Sequence, residues 1–95
     1  MKVFVERMLT IGGSPTPDHI IIHIDRDQYF QSFDKILAVR YADGEIVLDP
    51  SWKGLEYIKR KKAINRYRSA FLDEPTEETA AKVKSGEYEV KDLNQ

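Results

Sequence analysis

Ninety-five residues, 41% hydrophobic, 33% charged and without cysteine make one domain, and they exclude a disulfide scaffold, a cysteine-ligated metal centre and a thiol nucleophile. A net charge of −1 argues against a dedicated non-specific DNA binder, which is basic overall. No apolar run approaches the roughly 18 residues of a membrane span. The opening MKVFVERML also lacks the apolar core and cleavage site of a signal peptide, so the expectation is a cytoplasmic domain without membrane contact.

Residues 2–9 alternate apolar and polar, with Val3, Val5 and Met8 or Leu9 inward, and predict a first strand able to occupy a sheet edge. Residues 12–18 predict a loop, because two glycines loosen the backbone and Pro15 and Pro17 cannot donate to a ladder. Residues 19–25, with three consecutive isoleucines, predict a second strand. Residues 26–33 fit either its extension or a loop carrying Tyr29, Phe30 and Phe33. Two further strands are expected over 35–41 and 45–49, joined through Ala42-Asp43-Gly44, where Gly44 is free to take a positive φ. This β-hairpin is the strongest local signal in the chain. Trp52 follows it, placed to cover one end of a core.

The period then changes. Ile64, Tyr67 and Phe71 stand at i, i+3 and i+7, one face of a helix expected over about residues 56–72. Asp73-Glu74-Pro75 ends it. A second helix begins at Thr76, with Glu77 and Glu78 favoured in its first turn by the helix dipole, and closes at Gly86. Residues 87–90 alternate and fit a short last strand or a tail. The expected fold is a single α+β domain over residues 1–95: a small antiparallel sheet of three to four strands with two C-terminal helices on one face.

Charge is partitioned along the chain. Residues 1–50 hold five basic and eight acidic side chains, residues 53–68 seven basic and one acidic, and residues 69–95 three basic and seven acidic. On a helix, Lys59, Lys62 and Arg66 share a face, with Arg68 and Tyr67 beside them. Such a stripe can follow a phosphate backbone, meet an acidic protein surface, or be a solvated face balanced by the acidic C-terminal helix. Lys59, Lys62, Arg66, Arg68 and Tyr67 are the candidate partner-binding residues.

Other constellations carry less. On a strand, His19, Ile21, His23 and Asp25 share one face. The two histidines then stand about 13 Å apart at roughly 3.3 Å per residue, too far for one ion, so no metal site is expected and the polar outer face of a half-buried strand is preferred. Gly12-Gly13-Ser14 lacks the Gly-Lys-Ser/Thr ending of a phosphate loop, and Ser14 has no nucleophile-elbow context. No catalytic pattern and no cofactor motif is found, and an enzyme is not expected.

Several segments have a further significance by their order and spacing. They are Ser32-Phe33-Asp34 ahead of Ile36 and Ala38; the run from Tyr41-Ala42-Asp43-Gly44 through Ile46-Val47-Leu48-Asp49; Trp52; Arg66-Tyr67-Arg68 with Phe71-Leu72; Glu78-Thr79 and Lys82; Lys84-Ser85-Gly86-Glu87-Tyr88; and Asp92-Leu93-Asn94. Over residues 30–94 this pattern resembles a family of small uncharacterised bacteriophage proteins. Where that family has a Ser/Thr-rich stretch, this chain carries Lys59-Arg60-Lys61-Lys62-Ala63-Ile64-Asn65. The resemblance implies phage or mobile-element origin and no established activity. The resulting expectation is a non-enzymatic protein, acting in the host cytoplasm, that binds and modulates or inhibits a host protein or nucleoprotein complex, as anti-CRISPR and other anti-defence inhibitors do. The alternative is a nucleic-acid-binding accessory protein using the basic helix.

Overall fold

The computed structural model describes residues 1–54 and 61–95, so Lys59 and the expected start of the first helix lie outside the described residues. In chain order the elements are β1 (Val3–Leu9), β2 (Pro15–Ile24), β3 (Asp27–Ser32), β4 (Lys35–Arg40), β5 (Ile46–Leu48), α1 (Lys61–Leu72), α2 (Thr76–Ser85) and β6 (Glu89–Val90). The class is α+β. The described sheet has six strands rather than three or four, in the order β1-β2-β3-β4-β5-β6. All neighbours are antiparallel except β5 and β6, which run parallel.

The extra strands come from the two ambiguous segments. Residues 26–33 turn back as β3 because Asp25 adopts a positive φ of 54° in the tight turn after β2, a conformation that Asp tolerates better than most residues. Asp25 therefore leaves the strand face on which it was expected. Its N–H donates to the Lys2 carbonyl at 2.7 Å, and its carboxylate accepts the Lys2 N–H at 3.0 Å. Phe33, with φ 57°, makes the next turn into β4. The last strand, only Glu89–Val90, pairs with β5 after the chain has passed through both helices.

β2 also begins earlier than expected, at Pro15. Its two prolines are accommodated because the ladder to β1 slips there: Arg7 faces Ile20 but Leu9 faces Pro15, so residues 16–19 stand opposite Met8 alone. Pro15 is the first residue of the strand, and Pro17 sits in the slipped stretch, the positions where a missing N–H costs least. The expected hairpin is present, with Gly44 at φ 91° and its N–H donating to the Tyr41 carbonyl at 2.9 Å.

α1 packs on the sheet, and Ala80 and Val83 of α2 adjoin the same core. Phe30, Leu37, Ala38 and Leu48 from the strands meet Ile64, Tyr67, Phe71 and Leu72 of α1, closed by Trp52 and Tyr88. The i, i+3, i+7 residues of α1 are thus the buried ones, and Trp52 covers the core as expected. α1 packs on β3, two strands in from the edge, and β1 reaches the core through half-buried Met8. No described helix is long and apolar enough to cross a membrane.

Candidate binding surface on the first helix and the sheet edge

The five residues assigned to the basic stripe separate in three dimensions. Lys62 and Arg66, one turn apart on α1, are exposed, as is Lys61. Tyr67 is buried, and Arg68 is completely so. The difference follows from the turn of the helix: the residues that follow Arg66 rotate inward onto the core. Arg68 therefore lies in the interior, and Tyr67 reaches the surface only as part of the wall of a groove beside β1. Arg66 lays its guanidinium 4.6 Å from the centre of the Tyr67 ring and donates to the Tyr67 hydroxyl at 2.8 Å. On its other side, Tyr67 stacks on the His19 ring, centroids 4.0 Å apart.

Arg68 is held by neutral acceptors. Its guanidinium donates to the Trp52 carbonyl at 2.8 Å, to Asn65 and to the Thr76 hydroxyl at 2.7 Å, and it lies 4.8 Å from the centre of the Trp52 ring. Burial pulls its pKa down to about 10, against the opposing influence of Glu74. It remains cationic at neutral pH and fastens α1 to the Trp52 turn and to the start of α2.

The acidic C-terminal helix does not neutralise α1. Glu74 is buried and accepts hydrogen bonds from Thr79 at 2.6 Å, Tyr88 at 2.7 Å and Lys82 at 2.9 Å. Burial raises its pKa, but those three donors outweigh burial, and the carboxyl titrates below its ordinary range. Glu78 and Glu87 also approach Lys82, at 3.5 and 3.9 Å. Three acids thus converge on one lysine of their own neighbourhood. Lys61, Lys62 and Arg66 make no ion pair with any described residue.

The histidines lie on the helix side of the sheet, not on a polar outer face. His19 is buried, packed against Phe30, Phe33 and Tyr67, with Nδ1 3.0 Å from the Ser32 hydroxyl. Burial lowers its pKa, Asp18 opposes that and Arg66 adds to it. Ser32 is wholly enclosed, so the pair joins β2 to β3 inside the core. His23 sits farther along the same face, stacked on Phe4 at 4.2 Å and 3.0 Å from the Glu6 carboxylate. No group of His, Asp and Glu among the described residues is placed to hold a metal ion.

The segments singled out in the sequence by their order and spacing mostly bind to one another. Asp49 accepts the N–H groups of Ser51 at 3.0 Å and Leu93 at 2.9 Å. Asn94 pairs with both backbone groups of Ile36, at 2.7 and 2.9 Å, and donates to Asp49 at 3.0 Å. Trp52 with Arg68, and Thr79 with Glu74, Lys82 and Tyr88, complete the set. These residues assemble the scaffold.

One feature of the surface was not anticipated from sequence. A groove of about 430 Å³ runs between β1 and α1, its apolar wall made by Met8, Ile21, Tyr67 and Ala70, with Glu6 and Arg66 as charged neighbours. β1, which forms one side of it, exposes Phe4, Val5 and Leu9 by 57%, 57% and 60%, and of these Leu9 lines the groove. The signal available in sequence was the excess of apolar residues on both faces of the first strand. No family model, curated protein or solved structure matches the chain.

Proposed function

We propose that this chain is a non-enzymatic protein of phage or mobile-element origin that binds a host macromolecule and modulates or inhibits it, an anti-CRISPR or other anti-defence inhibitor being the concrete form. The observation that carries this reading is the cationic face of α1, where Lys61, Lys62 and Arg66 stay clear of described counter-charges while Glu74, Glu78 and Glu87 gather on Lys82. A charged surface free of internal partners is open to a complementary patch on another molecule, and it acts chiefly on association rate and specificity. The mechanism is occupation of the target's surface.

A protein or nucleoprotein target is preferred to naked nucleic acid. Tyr67 and Arg68, suited to stack on bases or grip phosphate, face inward. The overall charge of −1 also opposes approach to a polyanion. Affinity capture of the tagged chain from bacterial lysate, with and without nuclease, tests the reading. A nuclease-resistant partner is expected, lost when Lys62 and Arg66 (with Lys59) are changed to Glu. Capture that disappears with nuclease, together with DNA or RNA affinity falling steeply with salt, would replace it with the nucleic-acid accessory role.

A further inference from the structure

We infer that β1 and the groove beside it form a docking slot for an extended segment of a partner protein. The segment adds as a strand to β1, buries alternate apolar side chains in the groove between β1 and α1, and sets a carboxylate against Arg66. The inference rests on the protein-binding reading above and adds a second surface to it.

Three observations converge. First, β1 is an edge strand, paired only with β2. Edge strands present unpaired N–H and C=O groups, and proteins that do not use them blunt them with charges, proline or a covering element. Here the charged residues of the edge are confined to Glu6, which is engaged by His23, and Arg7, while Phe4, Val5 and Leu9 stand in the open, followed by Ile11 at 85% exposure. Second, the groove lies on the helix side of that strand. Side chains of an added strand stand beside those of β1 on the same face, so alternate residues would lie next to Met8 and complete the wall formed by Ile21, Tyr67 and Ala70. Its volume of about 430 Å³ suits two or three side chains rather than a whole domain. Third, Arg66 borders the groove with its guanidinium fixed against Tyr67 and no carboxylate among its described ion-pair partners, while Lys62 stands one turn away. That charge is complementary to an acidic residue of the incoming segment.

A second copy of the chain is a poorer occupant. Two copies joined β1 to β1 about a two-fold would oppose Glu6 to Glu6 when centred on Glu6 and Arg7 to Arg7 when centred on Arg7, and centring on Val5 would set the apolar Phe4 against Glu6 and Val3 against Arg7; like charges, or an apolar side chain and a charge, facing each other across strands are unfavourable. A strand of different sequence avoids this. Recognition by strand addition draws affinity from the main chain and specificity from alternate side-chain pockets.

The test is selection of linear 12-residue peptides displayed on phage against the full chain, followed by binding of the enriched synthetic peptides. Peptides with alternating apolar residues and an Asp or Glu are expected. Their affinity should fall at least tenfold in Ala70→Trp, which fills the groove from an exposed helix position, and several-fold in Arg66→Glu. Amide hydrogen exchange of β1 should slow when they bind. Circular dichroism and thermal unfolding of each variant confirm that it is folded. Enriched peptides that bind Ala70→Trp undiminished, or that leave β1 exchange unchanged, would overturn the slot. Light scattering that shows a dimer of the free chain, lost in Ala70→Trp, would assign the slot to a second copy and overturn it equally. A nuclease-resistant lysate partner retained by Ala70→Trp but lost in the Lys62/Arg66 reversal would leave the protein-binding reading standing and remove the slot.

Discussion

Arg68 sets the terms at the scale of single residues. It is fully buried, and its hydrogen bonds end on a carbonyl, an amide and a hydroxyl rather than on a carboxylate. Its Nε has no partner among the described residues. Burying a cation in this way is costly unless its donors are met and its plane is stacked, and here the Trp52 ring supplies the stacking. Arg68→Ala removes the stem, the stacking and three donors at once, and is expected to destabilise by at least about 3 kcal/mol. Arg68→Met keeps most of the volume and is expected to cost roughly 1–3 kcal/mol, from the acceptors left unmet. Urea unfolding of the two variants measures both; equal losses would contradict this division.

His19 makes a prediction about pH. Its folded pKa lies below the ordinary 6.5, burial being the principal cause. As pH falls below 6.5 the unfolded chain takes up a proton that the folded chain refuses, so stability is complete above that value and declines toward the folded pKa. Thermal unfolding between pH 7.5 and 5.5 should show this decline, and His19→Asn should flatten it. An unchanged slope in the variant would place the dependence elsewhere.

At the scale of elements, the two helices are held by unlike means. α1 is anchored by its apolar stripe. α2 has a single fully buried residue, Thr79; Ala80 and Val83 adjoin the core, and Glu74 collects donors from Thr79, Lys82 and Tyr88. Glu74→Gln keeps the shape and removes the charge from those bonds, and a loss of about 1–3 kcal/mol is expected at neutral pH. Because the folded pKa of Glu74 is lowered, its contribution is complete above the ordinary value of 4.5 and fades as pH falls through the folded value. The penalty of Glu74→Gln should therefore shrink in acid, as chemical unfolding at pH 7 and pH 3 would show.

The elements differed in how far they could be read from sequence, for local reasons. The 45–49 hairpin, α2 and the inward face of α1 rest on short-range signals: Gly44, Gly86 and the spacing of Ile64, Tyr67 and Phe71. β3 was ambiguous because its turns rest on Asp25 and Phe33 in positive φ, which neither residue type announces. The start of β2 at Pro15 was hidden because prolines argue for a loop wherever the ladder is assumed continuous. Two residues of β6 offer no period at all.

At the scale of the whole molecule, the fold is a meander until β5 and is then closed by the returning end of the chain. Val47 pairs with Glu89, Lys91 donates to the Leu48 carbonyl at 2.9 Å, and Asn94 fastens to Ile36. Tyr88, on this return, is part of the core. Deleting residues 87–95 should cost more than about 3 kcal/mol, the scale of removing a buried aromatic, and lower the midpoint of urea unfolding accordingly. Unchanged stability would show that the returning segment is dispensable.

By itself the sequence determined the α+β class, the hairpin, both helices where they are described, and the partition of charge, because each depends on neighbours within a few residues. The tertiary structure alone decided which cations remain outside. Lys62, Arg66 and Arg68 are indistinguishable as a linear run, but helix rotation sends Arg68 under Trp52 and leaves the other two in solvent. It also decided that Glu74, Glu78 and Glu87 serve Lys82, and that α1 rests on β3 and leaves a groove along β1. Those outcomes depend on distances between residues far apart in the chain, which composition and spacing do not contain.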